Sequence, residues 1–242
     1  MTDSTAERCP AVLLQGRNLC RRYGALTALR DFNISLRRGD VVGFLGLNGA
    51  GKTTAMRILC GALPPSSGDV RVCGYALQRQ PEAARVHLGF LPDTPPLYRE
   101  LTVDEYLRYC ARLRAVPKAV VEQRLHVVKQ QVQLEGVGRK VIASLSRGFR
   151  QRVGIAQAVI HSPQVLLLDE PGNGLDPRQQ AELRQVIQRL RESCAVLLSS
   201  HQLDEVQALC NQIIVVHRGE CRYRGPVDGI DRETFFELTE PQ

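Results

Sequence analysis

The segment Gly46-Leu47-Asn48-Gly49-Ala50-Gly51-Lys52-Thr53 constrains this chain more than any other. It fits the pattern G-x-x-x-x-G-K-[ST], and each part has a physical reason. Glycines let the backbone curl so that successive N–H groups point at phosphate oxygens. A helix opening there presents free N–H groups and a partial positive charge to an anion. Lys52 then reaches the β- and γ-phosphates of a nucleotide, and the Thr53 hydroxyl is a ligand for Mg2+. Residues Gly46 to Thr54, with Thr54 as the last, are the expected cradle. The context agrees with the motif. Residues 41–45 before it form a short apolar run, the pattern of a strand buried on both faces. Residues 53–63 after it read as a helix, ended by Pro64-Pro65-Ser66-Ser67-Gly68. The plain alternative is a glycine-rich turn with an incidental lysine, and it leaves that context without a reason.

The rest of the chain alternates in the same way. Residues 12–22 and 32–36 read as strands, and Arg38-Gly39-Asp40 as a turn. Residues 86–91 form another short strand. Beyond Pro95-Pro96, Val103, Tyr106, Leu107, Cys110 and Leu113 share one helical face, and Val121, Leu125, Val128 and Val132 share another. A third helix is expected over 147–161, with Phe149, Val153, Ala156 and Ile160 on one side. Residues 165–168 and 195–198 are buried strands. Leu183, Val186, Ile187 and Leu190 mark a helix after Pro177, and residues 203–210 form another. Residues 213–216 and 221–224 frame a hairpin at Arg218-Gly219. Strands alternating with helices predict an α/β fold with a mainly parallel core sheet. The sheet falls to about 12–94 and 162–225, with a helical subdomain over about 95–161 and a short tail, 226–242, on which Phe235-Phe236 is placed to pack.

Composition narrows the function classes. The 242 residues are 43% apolar and 24% charged, which suits a chain with a real core and excludes collagen-like or disordered chains. No apolar run approaches the roughly 18 residues of a membrane helix. The N-terminus lacks the basic and apolar regions of a signal peptide. Eight cysteines are spread without a Cys-x-x-Cys pair, mostly within apolar patterns, and are expected to be small buried hydrophobes of a reducing cytoplasm. The net charge of +7 comes mostly from arginine, scattered among acids in runs of no more than two. A solvated surface explains it; a face toward anionic lipid or nucleic acid is the alternative.

The apolar run 165–168 ends at Asp169-Glu170-Pro171. A carboxylate at the end of a buried strand beside a phosphate loop suits Mg2+, held directly or through water. Strand alternation then points the Glu170 side chain away from Asp169, where it is placed to polarise an attacking water.

At Leu145-Ser146-Arg147-Gly148-Phe149-Arg150-Gln151-Arg152 the chain resembles the signature motif of the ATP-binding cassette (ABC) ATPases, with Arg and Phe at its third and fifth positions. The resemblance covers residues 13 to about 225. It implies a P-loop NTPase core with an antiparallel β subdomain and an inserted helical subdomain. By that resemblance Tyr23 stacks on adenine, and Asn173-Gly174-Leu175-Asp176 is the loop that crosses to a partner subunit. His201 is the switch histidine at the γ-phosphate. The family's usual glutamine after the Gly-Phe-Leu-Pro strand end is Asp93 here, a metal or water contact of changed charge. Such ATPases work as head-to-tail dimers around ATP, so Ser146, Gly148 and Asp176 are expected to meet the nucleotide of the opposite subunit. Lys52, Glu170 and His201 are the expected catalytic groups, and Thr53, Asp169 and Asp93 the Mg2+ contacts. The implied function is an ATP-hydrolysing subunit at the cytoplasmic face of a membrane. It powers export through a separate permease chain, which docks in the groove between the sheet and residues 95–145. The acidic residue at 93 with Leu-Ser-x-Gly-aromatic is similar to the branch of gliding-motility and multidrug exporters. The alternatives are a soluble ABC ATPase acting on nucleic acid or ribosomes, and a small-molecule kinase. The first usually has two cassettes or a long coiled coil between cradle and signature. The second needs neither signature nor switch histidine.

Overall fold

The computed structural model describes residues 12–239. Its strands and helices run β1 (Val12–Tyr23), β2 (Leu26–Arg37), β3 (Val41–Leu45), α1 (Lys52–Leu59), β4 (Ser67–Val72), β5 (Tyr75–Ala76), α2 (Pro81–Arg85), β6 (Leu88–Leu91) and α3 (Val103–Leu113). There follow α4 (Val121–Gln131), α5 (Arg147–Val159), β7 (Val165–Leu168), α6 (Pro177–Leu190), β8 (Ala195–Ser200), α7 (Leu203–Leu209), β9 (Gln212–His217), β10 (Glu220–Pro226) and α8 (Arg232–Thr239).

The main sheet has the order β10-β9-β3-β8-β7-β6. All its neighbours pair in parallel except the β9–β10 hairpin. A second sheet, β2-β1-β4-β5, is antiparallel. The apolar runs exist because both faces of the main sheet are covered, and alternate residues of one strand serve two cores. Leu166 and Leu168 face the helices α3 to α7, whereas Val165 and Leu167 face the antiparallel sheet and α1. Phe44 of β3 meets Phe32 of β2 with ring centroids 5.2 Å apart.

This topology decides where a site can form. In a parallel sheet, ligands bind beyond the carboxyl ends of the strands, where the order of connection reverses. Here β3 lies between β8 and β9, while β7 and β6 lie farther along. In register, Leu45 pairs with Ser200, and Leu168 with Leu198. The cradle after Leu45, the acids after Leu168 and the histidine after Ser200 therefore leave the sheet on the same edge.

Several expectations shift in detail. The helix after the cradle ends at Leu59 rather than residue 63, because Gly61 turns to φ +72. The strand at 86–91 starts at Leu88, since Val86 closes α2. Leu113 is exposed at 67%, and Ala111 is buried in its place, because α3 ends there. The four apolar positions chosen in α4 and its C-cap, and the four in α6, are all buried. In α8, Phe235 is buried and Phe236 exposed. Cys60, Cys110, Cys194 and Cys210 are buried as expected, but Cys20 and Cys73 are only partly covered. Cys221 is exposed, because β10 is the edge strand. Cys9 lies outside the described residues.

Candidate functional site

The cradle is built by close backbone approaches. A Cβ on Gly46 would strike the carbonyl oxygen of Val216. One on Gly51 would lie 2.5 Å from Ala28 O, at a φ of +105 that side chains rarely adopt. Gly51 is the N-cap of α1, so the helix starts with its free N–H groups at the loop. Lys52 is its first residue and is 6% exposed. Its ammonium donates to Gly46 O at 2.7 Å and lies 3.2 Å from Glu170 Oε1.

Asp169 is 2% exposed and accepts a hydrogen bond from Ser199 Oγ at 2.6 Å. Burial pushes its carboxyl up, and the hydroxyls of Ser199 and Thr53 oppose that shift. The sequence predicts that strand alternation places Glu170, and the structure differs. β7 stops at Leu168, and Glu170 takes φ +48, the left-handed region. Such a conformation costs about 1–3 kcal/mol and persists only where its surroundings hold it. Here the Glu170 N–H donates to Ser199 Oγ at 2.9 Å. The kink, not the pleat, parts the two acids: Asp169 is buried against Thr53, and Glu170 faces the cleft. Glu170 Oε2 lies 2.8 Å from His201 Nδ1, so Lys52, Glu170 and His201 form one contact chain.

These groups open on a cleft of about 610 Å³ that also takes in Tyr23, residues 47–54 and Asp93. Tyr23 sits at the end of β1, 46% exposed, with the Arg21 guanidinium 4.7 Å from its ring centre. Asp93 follows β6, beside β7, is exposed in the same cleft and accepts from Asn173 Nδ2 at 3.5 Å. Leu26 and Ala28 line the cleft from β2, a contribution no local pattern signals. Ser199 was also missed, although two serines closing an apolar strand are a visible sign of it.

Ser146, Gly148 and Asp176 do not line this cleft. They form a second patch, where two helix starts meet. Ser146 caps α5, accepting from Phe149 N–H at 3.4 Å, and Asp176 caps α6, accepting from Gln179 N–H at 2.9 Å. Gly148 packs on Gln179, and the Arg147 guanidinium packs on Gly174.

Among the described residues, no cluster of three or more His, Cys, Asp or Glu side chains is placed to hold a metal by itself. The donors near the cradle are hard oxygens: the Thr53 hydroxyl, Asp169 and Asp93. That set fits Mg2+, which takes one or two carboxylates and completes its shell with phosphate and water.

A family model described as ABC transporter matches residues 29–173. The chain is 38% identical to the ABC transporter ATP-binding protein NatA of Bacillus subtilis (strain 168), over 84% of this chain and 83% of that protein. It is 32% identical to the Nod factor export ATP-binding protein I of Cupriavidus pinatubonensis, over 94% of this chain and 71% of the relative. A solved structure of the ATP-binding subunit of an ABC transporter superposes with a TM-score of 0.83 at 32% identity, covering 94% of this chain and all of that one.

Proposed function

Because the chain belongs to the ABC transporter family as an ATP-binding, ATP-hydrolysing subunit, we propose that it dimerises head to tail around ATP and powers export through a separate membrane chain. It acts as one ATPase domain, with sheets over 12–94 and 162–225, a helical subdomain over 95–161 and a tail from 226. Among the described residues no helix is long and apolar enough to cross a membrane. The relatives' description as ATP-binding proteins of transport systems supports placing the spanning part on another chain, with this subunit at the membrane's cytoplasmic face.

The contact chain Lys52–Glu170–His201 carries the reading. The backbone N–H groups of residues 47–53 and the Lys52 ammonium bind the β- and γ-phosphates. Tyr23 stacks on the adenine. Thr53, Asp169 and Asp93 would hold Mg2+. When bound, Mg2+ neutralises the charge that builds on the transferring phosphoryl group. Glu170 accepts a proton from the attacking water, oriented by His201, a role worth typically ~10²–10⁴-fold in rate. The patch of Ser146, Gly148 and Asp176 caps the nucleotide of the opposite subunit with the α5 N-terminus. Loss of the γ-phosphate removes those closing contacts and the dimer opens.

The permease docks between the sheet and the helical subdomain. A groove of about 320 Å³ there has apolar walls at Leu88, Phe90 and Pro96, with Arg85 and Arg114 at its rim. Export rather than import is supported by the printed function of the Nod factor relative.

The test is Glu170→Gln beside Lys52→Ala. Glu170→Gln should bind ATP with turnover reduced by about 10²-fold or more, and Lys52→Ala should lose nucleotide binding or hydrolysis. Wild-type turnover in Glu170→Gln removes Glu170 as the base.

A further inference from the structure

Glu205 is the third residue of α7 and only 7% exposed, yet it does not line the cleft. A buried carboxylate is costly unless its lone pairs are met. Its Oε2 accepts from Ser200 Oγ at 2.6 Å, and Ser200 Oγ accepts in turn from the Gln202 N–H at 3.0 Å. Those two bonds close residues 200–202 into a turn around His201. The other oxygen, Oε1, faces a different loop: a Cβ on Gly172 would run into it. Gly172 lies two residues after Glu170. Burial pushes the Glu205 carboxyl up, the Ser200 hydroxyl opposes that, and the charges of Glu170 and His201 act on it as well.

We infer that Glu205 is a positioning residue for ATP hydrolysis. One buried carboxylate spans the loop behind Glu170 and the loop that carries His201, and it keeps the 2.8 Å contact between them in register. The inference rests on the roles proposed above for Glu170 and His201. The two loops leave neighbouring strands, β7 and β8. Ser199 already ties their starts, through Asp169 and the Glu170 N–H. Glu205 holds their far sides, bonded to Ser200 of one loop and packed against Gly172 of the other. Gly172 is required to be glycine because a Cβ there would collide with Glu205 Oε1. A supporting shell of this kind matters because misplacing a reacting group by about 1 Å costs on the order of 10² in rate.

Steady-state ATPase kinetics and ADP affinity test this in wild type, Glu205→Ala, Glu205→Gln, Gly172→Ala and the double variant Gly172→Ala/Glu205→Ala. Glu205→Ala should lower kcat by roughly 10–100-fold and leave KM and ADP affinity within about twofold, since the phosphate loop is untouched. Glu205→Gln keeps the size and an oxygen for Ser200, and should recover most of that loss. Gly172→Ala should lower kcat alone and cost nothing more once Glu205 is removed, because the methyl then has room. The inference is overturned if Glu205→Ala keeps wild-type kcat, if kcat and ADP affinity fall together, or if the two losses multiply in the double variant. Should Glu205→Ala fail to fold, Gly172→Ala decides alone: a wild-type kcat there overturns it. Glu170→Gln, assayed alongside, separates the two readings. Wild-type turnover in that variant sinks the base assignment, whatever Glu205 does.

Discussion

His161 ties the stability of the fold to acid pH. It follows α5, and its Nε2 lies 3.2 Å from Leu88 O in β6. Its Nδ1 is buried and has no hydrogen-bond partner among the described residues. The neutral ring with Nε2–H therefore satisfies the site, and a proton on Nδ1 finds no acceptor. Burial is the first cause that lowers its pKa from 6.5 to about 4, with the charges of Arg114, Arg124 and His87 adding to it. As pH falls below 6.5 the unfolded chain takes up a proton that the folded chain refuses until about pH 4. Stability is thus present above about 6.5 and lost between about 6.5 and 4. The full difference of about 2.5 units corresponds to ~3 kcal/mol, of which ~2 kcal/mol has developed at pH 5. The assay is urea unfolding of wild type and His161→Gln at pH 7.5 and pH 5. The glutamine amide still donates to Leu88 O but does not titrate. Wild type should lose about 2 kcal/mol more than the variant between the two pH values. Equal losses refute the buried-imidazole reasoning, whatever the absolute stability of the variant.

Two further outcomes follow from the cleft. Gly51→Ala, forced to φ +105 and against Ala28 O, should cost about 1–3 kcal/mol and weaken ATP binding; calorimetric unfolding and an ATP titration check it. Tyr23→Ala should raise the KM for ATP by about 5–160-fold, the value of one base–aromatic stack at ~1–3 kcal/mol, while kcat stays near wild type; steady-state kinetics decide.

The parts of this molecule legible in the sequence are those set by local pattern. β3 and β7 match their apolar runs residue for residue, because a strand buried on both faces leaves no polar positions. The cradle is legible because every residue in it answers to one ligand. β2 was visible only from Phe32 onward. Its pairing with β1 is irregular, and Asp31 and Asn18 take positive φ there, which breaks the period of two. β4, β5 and α2 were not read at all: they are two to six residues long, β4 pairs with the distant β1, and β5 is a two-residue hairpin arm on β4. In the site, the residue types at 169, 170 and 201 were plain, but their placement was not. Glu170 turns by a backbone kink that Ser199 holds from another strand. Glu205 and Gly172 meet only in three dimensions.

In the proposed mechanism ATP itself completes an interface between two ATPase subunits, in a homodimer of this chain or a pseudo-symmetric dimer with a similar one. Light scattering with size exclusion on Glu170→Gln, in Mg2+ with ATP and then with ADP, tests it most directly. For the homodimer, a dimer with ATP and a monomer with ADP are expected if the γ-phosphate bridges the cradle of one subunit to the Ser146–Gly148 helix start of the other, as proposed. A monomer at saturating ATP, or the same dimer with ADP, contradicts it.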